Sequence, residues 1–131
     1  MLLKVLKEKY PKIKEVDILR AIDNFDKMKC KGILLYAYSE ADRLLWSFTR
    51  VRGFLIITVN TNHNFYQNIL DPLIDQNDES ILTSLELFIS SLAWSEALEQ
   101  DDKKQNILAD FRQNSSSHLS RYIRDLSLIH I

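Results

Sequence analysis

Two glycines, Gly32 and Gly53, and two prolines, Pro11 and Pro72, are all that punctuate 131 residues. Average usage would supply about nine Gly and about six or seven Pro. A chain so poor in breakers has few tight turns and is built from long elements with few connections. The scarcity also limits chemistry. Loops that cradle phosphates use glycine so that backbone amides can approach the anion, and neither GxGxxG nor GxxxxGKS/T can be drawn from two isolated glycines. Autonomous nucleotide hydrolysis is not expected.

Element types follow from apolar spacing. Leu2, Leu3, Val5 and Leu6 predict a short helix ending before Pro11, because the residue before proline avoids the helical region. From Glu15 to Lys29, Ile18, Leu19, Ile22, Phe25 and Met28 recur at three- and four-residue steps, one face of a helix. From Gly32 to Asn60 the pattern turns to strand: Ile33 to Tyr38, Leu44 to Val51, and the nearly unbroken run Phe54 to Val59. Val51-Arg52-Gly53 reads as a hairpin turn, with Gly53 able to take a positive φ. Helical spacing then returns in a short helix over about 64–70 and, after a loop through Pro72 to Asn77, in a long one from Glu79 to about Glu99. Its stripe of Leu82, Leu85, Phe88, Ile89, Leu92 and Ala93 is broad enough to be mostly buried. A last helix, Lys104 to Leu126, carries a polar stretch at Asn114 to Ser117 that competes for backbone hydrogen bonds and would kink or split it.

The expected architecture is one α+β domain over 1–131: a helical N-terminal part (1–30), an antiparallel three-stranded meander (31–60), and a helical part (61–131) whose helix pair packs on the sheet. Trp46, Trp94, Phe48, Phe54, Phe65 and Phe88 fall on apolar faces and are expected in the core. Tyr36 and Tyr38 are read the same way, with an exposed edge-strand contact as the alternative.

Reactive constellations are sparse. His63, His118 and His130 form no HExxH or HxxxH pair, and one cysteine, Cys30, allows neither an intrachain disulfide nor a cysteine-based zinc site. No metal and no cofactor are expected. A nucleophile–base pair of Ser115 or Ser116 with His118 is outweighed by an ordinary polar helix face, and Asp101 and Asp102 lack an apolar pocket that would raise a carboxyl pKa. Lys4, Lys7, Lys9, Lys12 and Lys14 around Tyr10 make a weak nucleic-acid surface, which the pI near 6.3 disfavours. With no apolar run of about 18–20 residues, no membrane span is expected, and the single cysteine fits a reducing cytoplasm.

Charge is uneven along the chain. Residues 1–32 hold nine Lys/Arg against five Asp/Glu, and residues 69–110 hold ten Asp/Glu against two Lys. The polarity has two readings: a basic N-terminal helix lying over an acidic one, or an acidic face for a basic partner. In the second, Asp78, Glu79, Glu86, Glu96 and Glu99 are the candidate contacts, and the chain is an inhibitory binder such as an immunity protein or a phage-encoded antagonist.

The segment Phe54-Leu-Ile-Ile-Thr-Val-Asn60-Thr-Asn-His63-Asn-Phe65-Tyr66 resembles a pattern of bacterial GHKL-class ATPases, relatives of gyrase B, MutL and histidine kinases. There a hydrophobic strand runs into N-x-x-H-P-F-Y beyond the ATP-binding domain. Leu85 to Leu98 and Ser117 to Leu126 resemble the helices that follow it, so the likeness covers roughly 44–126. It implies that Asn60, His63, Phe65 and Tyr66 form a strand-to-helix junction with His63 as the capping residue. Asn64 stands where the pattern has proline, and the ATP-binding half has no counterpart. The resemblance therefore implies a detached or shortened C-terminal region, without catalysis, that binds protein or itself as a dimer in DNA transactions or phage defence.

Overall fold

The apolar run from Phe54 to Val59 becomes the middle strand of a sheet, and the layout follows from it. The computed structural model describes residues 2–28, 32–40 and 43–129, with side chains as far as Leu126 except that of Met28. Cys30 and His130, and with them the expectations placed on them, lie outside the described residues. The elements are α1 (Leu2–Lys9), α2 (Glu15–Met28), β1 (Ile33–Ala37), β2 (Trp46–Val51), β3 (Phe54–Asn60), a π-helical turn (Tyr66–Leu70) running into α3 (Asp71–Asp75), α4 (Glu79–Leu98) and α5 (Asp102–Ile129). The class is α+β, as the spacing predicts.

The meander is corrected to a mixed sheet of order β1-β3-β2, with β3 parallel to β1 and antiparallel to β2. Leu55, Ile56 and Ile57 are successive buried residues, so β3 needs cover on both faces and a neighbour at each edge. The centre of the sheet supplies both. The described residues 38–40 and 43–45 then flank a crossing of two strand spacings, about 10 Å. Asn60 fastens that crossing. Its amide donates to Leu45 O at 2.8 Å, and its Oδ1 accepts from the amides of Ser39 and Asn62, each at 3.0 Å.

Helices cover both faces. Leu6, Ile18 and Ala21 pack on Ile33, Leu35 and Ile56, while Leu70, Ile89 and Ala93 pack on Leu45, Trp46, Leu55, Ile57 and Val59. The sheet thus lies between most of the basic N-terminal part and acidic α4, while α2 and α4 meet beside β1, where Ala21, Asn24 and Phe25 line a cavity with Glu86, Leu87 and Ser90. No ion pair joins the two segments among the described residues, and Lys7 reaches Glu15 at 3.9 Å instead.

Two helical expectations also change. The loop expected through Pro72 is helical, because the π-helical turn opens the hydrogen-bond ladder ahead of the proline: the Asp71 amide donates to Tyr66 O, one residue further back than in an α-helix. The joint comes later, at Asn77 (φ 55°), where the Asp78 and Asn77 amides donate to Leu73 O and Ile74 O in a Schellman arrangement. In the second case, α5 runs unbroken through Asn114–Ser117. The Ser115 hydroxyl shares Phe111 O with the helix ladder rather than displacing it, and the Ser116 hydroxyl accepts from the Leu45 amide at 2.9 Å, so neither breaks the helix.

The β2–β3 turn has positive φ at both Arg52 (52°) and Gly53 (84°), the signature of a type I′ hairpin. Arginine is strained there, so Arg52→Asn is expected to raise the unfolding free energy by about 0.5–1 kcal/mol. Gly53→Val should lower it by at least about 1 kcal/mol. Urea denaturation at constant m-value measures both.

Candidate functional site

His63 is buried where β3 gives way to helix. Its amide donates to Asn60 O at 3.1 Å, its Nδ1 accepts from the Phe65 amide at 3.0 Å, and its Nε2 donates to the Ser116 carbonyl at 2.9 Å. Both ring contacts call for the neutral ring protonated at Nε2. Beside it, Asn64 Nδ2 donates to Ser120 O at 2.8 Å. The residues that carry the GHKL resemblance therefore do two things: they start a helix, and they clamp the middle of α5. Phe65 and Tyr66 fill the core next to them, and the Tyr66 ring tilts on Tyr36 at 5.5 Å. Burial lowers the His63 pKa below its ordinary 6.5, opposed by the bond to Ser116.

The acidic candidates do not form one face. Glu96 is 4% exposed and forms a two-pronged pair with Arg112, Nε to Oε1 at 3.0 Å and a terminal nitrogen to Oε2 at 3.1 Å. Arg112 also lies over the Phe48 ring at 5.6 Å. Glu86 accepts a hydrogen bond from the Tyr36 hydroxyl in a partly buried contact between α4 and β1. Burial raises the Glu86 pKa, against the lowering effect of the Tyr36 bond and of Arg20, and burial also holds the Tyr36 phenol far above its usual value. The cavity beside Glu86 is about 30 Å³, room for a single water. Asp78 caps α4 through the Ile81 amide, and Glu99 accepts from the Asp101 amide at 3.2 Å. Of the five candidates, Glu96 is buried, Asp78, Glu86 and Glu99 are partly exposed and Glu79 is exposed, so Glu86 and Glu96 are the two engaged inside the fold.

What α4 presents outward is apolar. From Ser80 to Leu98 every exposed residue is Ser, Ile, Leu or Phe: Ser80, Ile81, Ser84, Leu87, Phe88, Ser91, Ser95 and Leu98. Phe88 is 63% exposed, which overturns its expected core position and the expectation of a mostly buried helix. The inward side of α4 carries Leu82, Leu85, Ile89, Leu92 and Ala93 on the core and two glutamates among them. Glu86 and Glu96 lie on the side of Ile89 and Ala93, held there by Tyr36 and Arg112, while the apolar arc faces out. By length and composition α4 is apolar enough to cross a membrane, with mean hydropathy 1.3, yet only 17% of that window is buried. The serines and glutamates that interrupt the run explain why the sequence shows no continuous span.

The remaining candidates are ordinary surface or capping groups. His118 is exposed, while the buried Ser116 hydroxyl is taken by the Leu45 amide. Asp101 caps α5 by accepting from the Lys104 amide at 3.0 Å. Lys9 lies over Tyr10 at 5.9 Å. Among the described residues no group of three or more His, Cys, Asp or Glu is placed to hold a metal ion. Comparison with family models, with curated proteins and with solved structures finds no match for this chain.

Two outcomes follow. Arg112→Ala leaves Glu96 buried and unpaired, so it should cost about 3–5 kcal/mol, whereas Glu96→Leu with Arg112→Met should cost far less; urea denaturation of both variants decides. For His63 the folded pKa is depressed, so the unfolded chain takes up its proton first as the pH falls. Stability from this group is complete above about pH 6.5 and declines below it until the folded ring protonates. Denaturation at a series of pH values should show that decline, and His63→Asn should remove its share of the slope.

Proposed function

We propose that this chain is a non-catalytic protein-binding module whose contact surface is the outward arc of α4. The observation that carries the reading is a helix of 20 residues with large apolar side chains on its outward as well as its inward side, whose exposed residues from Ser80 onward include no charge. A helix of that composition is ordinarily covered. Here the sheet covers one side only. Ile107, Phe111, Tyr122 and Leu126 of α5 are also exposed, which adds apolar surface to the same helical layer.

The resemblance to the C-terminal part of GHKL-type ATPases belongs to the same proposal. Its support is the junction at Asn60 and His63, which has the local form that the motif implies. A role as an inhibitor acting through acidic residues has less support, because Glu86 and Glu96 are engaged inside the fold.

A photo-activated phenylalanine analogue placed at Phe88 in the full chain, expressed in cells, should form adducts with protein on irradiation. The same analogue at exposed Lys12 should not. No adduct at position 88, or adducts with lipid alone, would contradict the reading.

A further inference from the structure

Residues 81, 84, 88, 91, 95 and 98 run along α4 at alternating three- and four-residue steps, the spacing by which one helix seats on another. All six are exposed, and their order is Ile, Ser, Phe, Ser, Ser, Leu. Turned end for end about a point between Ile89 and Ser90, this series falls on itself. Ile81 then meets Leu98, Ser84 meets Ser95, and Phe88 meets Ser91. Large side chains meet small ones at the centre, and apolar ones meet each other at the ends.

From this we infer that the occupant of the α4 face is a second copy of this chain, whose own α4 lies antiparallel across a two-fold axis. The inference rests on reading α4 as a protein contact and adds the identity of the partner. A two-fold contact requires one patch to be complementary to itself, and this patch is. With no charge in the arc, like charges do not meet across the axis. The hydroxyls of Ser84 and Ser95 already donate to Ser80 O and Ser91 O, each at 2.9 Å, so a dry interface would not orphan those two donors.

Area agrees. Ile81, Leu87, Phe88 and Leu98 are each roughly half exposed and offer about 400 Å² of apolar surface per copy, on the scale of about 150–250 Å² for a whole aromatic side chain. Two copies bury about twice that. Since interfaces are about 57% apolar, the total is roughly 1,400 Å², inside the range of specific dimers. A lipid surface fits less well. Glu86 and Glu96 lie within the apolar stretch and are tied to Tyr36 and Arg112, so full insertion would break both contacts.

The test uses the full chain with Cys30→Ser, so that introduced thiols are the only ones. Sedimentation velocity over roughly 1–200 µM, a range suited to interfaces of this size, should show conversion to twice the 15.4 kDa protomer. Phe88→Glu and Leu98→Glu, each at an exposed position, should hold the chain monomeric with an unchanged far-ultraviolet spectrum. On oxidation, a mixture of Ser84→Cys and Ser95→Cys chains should cross-link, while neither alone should, because position 84 meets 95 and not 84.

A wild-type chain that stays monomeric throughout overturns the inference. Fast cross-linking of Ser84→Cys alone overturns the antiparallel arrangement, and sedimentation of the monomer with anionic phosphatidylglycerol vesicles assigns the face to lipid instead. A monomer whose photo-adduct at position 88 is a different protein sinks this inference and leaves the protein-binding reading standing.

Discussion

Burial of β3 on both faces is the constraint on which the other features depend. A strand with no polar side of its own cannot lie at the edge of a sheet or under a single layer of helices. It draws β1 and β2 to its two edges. It also requires helices above and below, and the order of elements supplies α1 and α2 to one face and the C-terminal helices to the other.

The polar end of β3 then organises the helical layer. Asn60 holds the crossing, His63 starts the helix that leaves the strand, and the His63 ring and the Leu45 amide both engage Ser116. These contacts place α5 through its polar centre, with Arg112 and Glu96 tying it to α4. Helices packed by a continuous apolar stripe leave little apolar surface over. Here hydrogen bonds and one internal ion pair do much of the docking, and the apolar residues of α4 are left facing away from the sheet.

Much of the fold was legible in the sequence. Apolar spacing placed both N-terminal helices, all three strands, the hairpin at Gly53 and the long α4, because those signals are local. Strand order is carried by one clue alone: a run without alternation denotes a central strand, whereas sequence order by itself suggests a meander ending in β3. Pro72 misled because a π-helical turn can absorb a proline, and the serines of α5 misled because their partners are distant in sequence. Asn60 and His63 were legible as a strand-to-helix junction, because the polar pair follows directly on the apolar run of β3. The candidate surface was the least legible part. Glutamates are normally outside and phenylalanine inside, and the contacts from Tyr36 and Arg112 are what hold Glu86 and Glu96 inward while Phe88 faces out.

The central proposal is that a second copy of the chain covers the outward arc of α4. Hydroxyl-radical footprinting of the unmodified chain, comparing Phe88 with exposed Tyr38 just beyond β1, measures this directly. The account predicts that oxidation of Phe88 falls as protein concentration rises while that of Tyr38 stays constant. Equal oxidation of Phe88 at every concentration would contradict it.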